Sequence, residues 1–154
     1  MKRVKIQSQL SVTPEKVWEW LNQTDTLFFI TKGWVHFVDK TNFTTQWEQG
    51  QVIQTVIKPF VIGASAKYEI RITLVDDVAF TIKTEESGAG IKSWNHVMQV
   101  NSVSGSTATC QLIDVVEVDA GVLTGAFTVY VWCYYKWRHR RWKKLIRRRF
   151  YRSH

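Results

Sequence analysis

The chain carries only two cysteines, Cys110 and Cys133, so no disulfide framework holds it together. One falls in a strand pattern and one in an apolar helical stretch. Both read as buried, reduced thiols that act as small hydrophobes, which points to a cytoplasmic setting. The four histidines, His36, His96, His139 and His154, show no zinc-ligand spacing. No nucleophile stands beside a base and no glycine-rich phosphate loop is present, so no catalytic residue, cofactor or metal is assigned. Repeats and low-complexity linkers are absent too. The start, Met1-Lys2-Arg3-Val4-Lys5, is basic like a signal peptide, but alternating residues follow instead of an apolar core. The longest apolar stretch, residues 120–135, falls short of the about 20 residues of a membrane span.

The other missing ingredient is acid at the end of the chain. Residues 136–154 hold ten of the 21 cations and no Asp or Glu. The remaining eleven cations face all 13 acids in residues 1–135, a net of −2 within a chain of net +8. Positive charge is therefore a terminal patch on a near-neutral body, and local cation density sets attraction to phosphate surfaces. At 154 residues the chain reads as one domain, 1–154, with a basic end at 136–154.

What is present is alternation. Val4, Ile6, Ser8, Leu10 and Val12 alternate with polar residues, a half-buried strand. Thr13-Pro14-Glu15-Lys16 is a helix start: hydroxyl cap, proline in the first turn, then an acid. A second short helix or turn follows over residues 22–31. Six further strands are expected over 34–40, 50–58, 62–74, 78–86, 91–102 and 107–118, separated by short hairpin loops. Asp119 can cap a closing helix of about 30 residues, apolar at first and basic at its far end.

Parity assigns an inner face. Ala64, Ala66, Tyr68, Ile70, Ile72 and Leu74 share one side of their strand. Phe80, Ile82, Thr84 and Glu86 share the next, then Trp94, His96, Met98 and Val100. Ala108, Cys110, Leu112, Asp114, Val116 and Val118 complete the set. His96, Asp114 and Glu86 intrude on an apolar face, where a carboxylate is costly unless paired. Three readings of His96 and Asp114 stand open: a structural pair, a polar anchor for a ligand, or an acid and base. The aromatic stripe Phe127, Tyr130, Tyr134, Trp137 either packs on the sheet or lines a cavity. Small residues at 64, 66 and 108 leave room for one.

The strand–helix–helix–six-strand–helix order resembles the START-like, or SRPBCC, superfamily of pollen-allergen, polyketide-cyclase and lipid-transfer proteins. Val12-Thr13-Pro14-Glu15-Lys16-Val17-Trp18 opens the first helix in the manner of that group. Trp47-Glu48-Gln49-Gly50, Trp94-Asn95-His96, Asp114-Val115-Val116-Glu117 and Arg138-His139-Arg140-Arg141-Trp142 resemble bacterial members. The resemblance implies an α+β helix-grip fold: a curved antiparallel seven-stranded sheet around a long C-terminal helix, with two short helices after the first strand. It also implies a cavity for a lipid, sterol, polyketide or other hydrophobic molecule. Tyr68, Phe80, Trp94, His96, Met98, Asp114, Phe127, Tyr130 and Tyr134 are the expected ligand contacts. The alternative is a cyclase or dehydratase using His96 and Asp114. Arg141, Lys144, Arg147, Arg148, Arg149 and Arg152, with Trp137 and Trp142 as apolar anchors, are the expected contacts to an anionic membrane surface. Nucleic acid is the less favoured partner of that patch, and oligomeric state is left open.

Overall fold

The computed structural model describes residues 1–152, with side chains as far as residue 150. Strand β1 (Lys2–Leu10) leads into helices α1 (Pro14–Leu21) and α2 (Thr24–Thr31). Then come β2 (Val35–Phe37), β3 (Val52–Pro59), β4 (Ala66–Asp76), β5 (Thr81–Gly88), β6 (Ile91–Val103) and β7 (Ser106–Asp119). A 3₁₀ turn (Gly121–Leu123) delivers the chain to α3 (Thr124–Arg152), 29 residues long. The strands form one antiparallel sheet in the order β1-β7-β6-β5-β4-β3-β2, curled into a half-barrel around α3. This is the helix-grip arrangement.

Local chemistry explains the elements. Val4, Ile6 and Leu10 turn inward on β1 and their neighbours outward, because side chains alternate along a pleated strand. Thr13 caps α1, its hydroxyl oxygen accepting from the Lys16 N–H at 3.3 Å, and Pro14 occupies the first turn, where no backbone donor is needed. Asp119, expected as the cap of the closing helix, stands one residue before the N-cap position of the 3₁₀ turn, which is Ala120; its carboxylate accepts from the Gly121 N–H at 2.9 Å in the turn that leads to that helix.

Two departures from the alternation matter for the interior. The loop between β3 and β4 covers residues 60–65, so the strand expected over 62–74 begins at Ala66 instead. Ala64 is consequently exposed, as is Ala108 near the β6–β7 turn, and neither contributes interior space. In β4 the register shifts between Ile72 and Leu74, a bulge that inserts one residue and reverses the faces beyond it. Val75 joins the core there, and Leu74, expected inward, does not.

The apolar interior has two parts. A larger cluster joins α1, α2, Trp47 and the inner faces of β3 to β7 to the far end of α3 through Trp142, Leu145 and Ile146. A smaller one joins Val4, Ile6, Trp94, Val116 and Val118 to Val131, Tyr134 and Tyr135 of α3. Cys110 is buried, and desolvation pushes its thiol up to about 11. The far end of α3 is therefore a core element on one side. Trp142, expected as a surface anchor, is 1% exposed. Replacing it tests this: Trp142→Ala should lower the unfolding free energy by about 3–5 kcal/mol, read as a fall in the urea midpoint.

Candidate functional site

The sheet and α3 do not close completely on each other. A cavity of about 220 Å³ lies between the two clusters, lined by Tyr68, Ile70 and Ile72 of β4 and Thr84 and Glu86 of β5. Trp94, His96 and Met98 of β6 and Phe127, Tyr130, Tyr134, Tyr135 and Arg138 of α3 form the facing walls. The order along α3 sets depth. Ala126 and Phe127 sit at the end shared with the β3–β4 loop, where Val61 and Ile62 are exposed, and Arg138 sits about three turns deeper. Leu21, Leu27, Ile30, Phe37 and Trp47 also line the cavity, so the polar groups are set within a largely apolar wall.

Of the expected ligand contacts, Tyr68, Trp94, His96, Met98, Phe127, Tyr130 and Tyr134 all face this cavity. Phe80 does not. It precedes β5 in a turn with φ of 48° and stacks on Trp18 of α1, ring centroids 5.3 Å apart, at the opposite end of the sheet. Parity failed there because the residue stands outside the pleated strand. Tyr130 and Tyr134 stack at 5.9 Å along the α3 wall, and Trp34 covers both. Burial pushes the Tyr130 phenol up to about 12 and the Tyr134 phenol higher still.

Asp114 lies just behind the wall, 2% exposed, on β7. Met98 of β6 and Ile6 of β1 are its direct strand partners, so His96 and Ser8 are its diagonal neighbours, within reach of long side chains. His96 Nε2 stands 2.5 Å from Asp114 Oδ1, and His139 Nε2 of α3 stands 2.6 Å from Oδ2. An ionised carboxylate only accepts, so each histidine donates from Nε2 and each Nδ1 is left as an acceptor. The partners present suit that assignment. Ser8 lies 2.8 Å from His139 Nδ1, and the Tyr135 hydroxyl lies 3.2 Å from His96 Nδ1. Arg138 Nη1 in turn donates to the Tyr135 oxygen at 3.2 Å.

Burial opposes ionisation of Asp114, yet the hydrogen bonds from His139 and His96 outweigh it and hold the carboxyl well below the usual range. Burial likewise keeps the Tyr135 phenol protonated. The set is a chain of donors ending on one anion. The spacing of nitrogen and oxygen leaves no gap for an ion, and no group of metal-ligand side chains among the described residues could hold one. Glu86 is the second carboxylate, its oxygens accepting from Tyr68 and Thr84 at 2.8 Å each. Burial, with Glu86 beside it, raises the Tyr68 phenol well above its ordinary value.

Ser8, Tyr135, Arg138 and His139 were not singled out from sequence as site residues. The signal existed: Ser8 breaks the inward parity of β1, and Arg138 and His139 continue the helical stripe that runs from Val131 to Trp142. Their cationic neighbours concealed it. At the basic end, Arg141 donates to the Phe29 carbonyl at 3.0 Å and stacks on that ring, while Arg149 covers Trp20. Trp137 donates to the Lys32 carbonyl at 3.1 Å. Lys144, Arg147 and Arg148 are exposed, and the Arg152 side chain lies outside those described.

No family model matches the chain, and no curated protein matches it. Solved structures match along nearly its whole length. A START superfamily protein from Mycobacterium smegmatis aligns with a TM-score of 0.67 at 9% identity, covering 95% of this chain and 97% of that one. An aromatase/cyclase from a Streptomyces species aligns at 0.56 and 16% identity, over 80% and 72%. Norcoclaurine synthase from Thalictrum flavum, in complex with dopamine and hydroxybenzaldehyde, aligns at 0.56 and 12%, over 76% and 68%. At such identities the likeness is one of fold: this chain has the START-like helix-grip fold.

The clamp around Asp114 carries a pH signature. A carboxyl depressed in the folded state contributes stability that is present above its unfolded pKa of about 4 and is lost as pH falls below that value. Asp114→Asn removes this contribution and forces one histidine to change tautomer. Wild type should exceed the variant by roughly 1–3 kcal/mol at neutral pH, with the difference shrinking in denaturant melts below pH about 4.

Proposed function

We propose that this chain binds a compact, largely apolar small molecule between α3 and the inner face of the sheet. The observation that carries the reading is the cavity itself, apolar at its mouth and bordered by Tyr68, Trp94, Met98, Phe127, Tyr130 and Tyr134. Its volume of about 220 Å³ lies just under the roughly 300–1,000 Å³ of drug-sized sites, which favours a small ring system or short chain over a sterol or two-chain lipid. Carriage or sensing is favoured over acid–base catalysis by the same geometry. Both ring nitrogens of His96 already have partners, and the Tyr135 hydroxyl is a donor held protonated by burial.

Ala126 supplies a test at the mouth, because it is exposed and its replacement leaves the core untouched. Freshly purified protein should show a small bound mass in native mass spectrometry, or take up naphthalene in calorimetry. Ala126→Trp should abolish that uptake while the thermal midpoint stays within the wild-type error. Uptake of naphthalene by neither protein, with no co-purified mass, would sink the reading.

A membrane-surface role for the basic end is supported by charge alone, since Trp137 and Trp142 are engaged in the fold. Among the described residues no helix is long and apolar enough to cross a membrane. Lys144→Gln with Arg147→Gln should remove low-salt association with phosphatidylglycerol vesicles and change stability by less than about 1 kcal/mol. Association should also fade in the wild type near 0.15 M salt, where screening shortens to about 8 Å. A wild type indifferent to these vesicles at low salt would leave the patch as a solvated helix end.

A further inference from the structure

The cavity wall holds a guanidinium with an unmet donor. Arg138 is 5% exposed and lines the cavity, and arginine does not lose its charge in proteins. It donates from Nη1 to the Tyr135 hydroxyl at 3.2 Å and also engages the Tyr134 hydroxyl, while its Nε has no partner. The nearby acids are occupied elsewhere. Both oxygens of Asp114 accept from histidines, and both oxygens of Glu86 accept from hydroxyls. Among the described residues no carboxylate forms a direct ion pair with Arg138, although Asp114 and Glu86 act on it through space; the guanidinium also lies over the faces of Tyr135 at 4.6 Å and Tyr134 at 5.6 Å. A buried donor is ordinarily hydrogen-bonded, so the open Nε is an exception that an added acceptor would complete.

A second donor lacks an acceptor in the same place. Trp94 is 4% exposed and lines the cavity, and its indole Nε1 has no partner. Its ring centroid lies 6.2 Å from that of Tyr135, the ring Arg138 also covers. Both unmet groups are therefore donors gathered around one phenol. An acceptor carrying negative charge complements them, and a carboxylate matches the guanidinium fork in a site where low polarity strengthens the bond.

We propose that the cavity selects molecules bearing a carboxylate on a compact apolar body, with Arg138 and Trp94 receiving the carboxylate and the aromatic walls receiving the body. This rests on the cavity-binding reading above and names its ligand class. Glu86 shares the same space and would favour a cationic head group instead, so the comparison must include an amine.

Calorimetric titration with naphthylacetate, naphthylethanol and naphthylethylamine separates the possibilities, because the three share one ring and differ in the head group. The acid should bind at least roughly tenfold more tightly than the alcohol, and the amine most weakly. Arg138→Met should lower affinity for the acid by roughly tenfold or more while leaving the alcohol within about twofold. Trp94→Phe, which keeps an aromatic ring but deletes the donor with part of the indole, provides the same acid-against-alcohol contrast if Arg138→Met does not fold. Equal affinity for acid and alcohol, or preference for the amine, overturns the carboxylate assignment and leaves the cavity reading standing. Failure of all three and of naphthalene removes both.

Discussion

Asp114 is an ionised carboxylate buried where β1, β6, β7 and α3 meet, and the grip of sheet on helix runs through it. One oxygen receives His96 from the adjacent strand and the other receives His139 from α3, whose second nitrogen faces Ser8 of β1. Hydrophobic contact alone is non-directional and would let α3 slide or rotate in a curled sheet. A single acceptor shared by two fixed donors admits one helix position. A slip of one residue would carry His139 about 100° around the helix and leave a buried anion half satisfied.

The same network places polar groups in an otherwise apolar cavity wall. Between the two apolar clusters the chain supplies Tyr135, Arg138, Trp94 and Glu86, whose polar atoms keep side chains from collapsing into the gap. Arg138 connects the two regions: it supports Tyr135, which supports His96, which holds Asp114. Structural satisfaction and the proposed ligand recognition thus draw on one chain of hydrogen bonds. A proton drawn from this chain would disturb the contact that seats the helix.

The basic end also changes meaning once the helix is seated. Its inner side, Arg138, His139, Trp142, Leu145 and Ile146, is buried, and Arg141 and Arg149 lie over aromatic rings of α2 and α1. Among the residues with described side chains, the cations of this end that face solvent are Lys136, Arg140, Lys143, Lys144, Arg147 and Arg148. Charge density along the sequence therefore overstates the charge available to a partner. Guanidinium groups can cover apolar surface with their flat faces, and several here do so.

Much of the architecture was legible because it depends on local periodicity. Alternation located seven strands, the Thr13-Pro14 start located α1, and parity put Trp94, His96, Met98 and Asp114 on one face. The expected seven-stranded sheet around a closing helix matches the fold. Reading failed where a local rule was interrupted by something only the assembled sheet decides: the bulge near Thr73 that turned Leu74 outward, the loop that left Ala64 in solvent, the turn that sent Phe80 to Trp18. It failed again where a residue's character depends on which side of a helix meets the sheet. Arg138, His139 and Trp142 read as surface within a run of cations, and become interior because α3 docks through that side. Pairing across 25 residues between Asp114 and His139, and across 131 between Ser8 and His139, has no periodic trace in sequence. The sequence by itself determined which faces are apolar; tertiary packing decided which polar groups would share the interior with them, because a hydrogen bond requires two groups to arrive at one place.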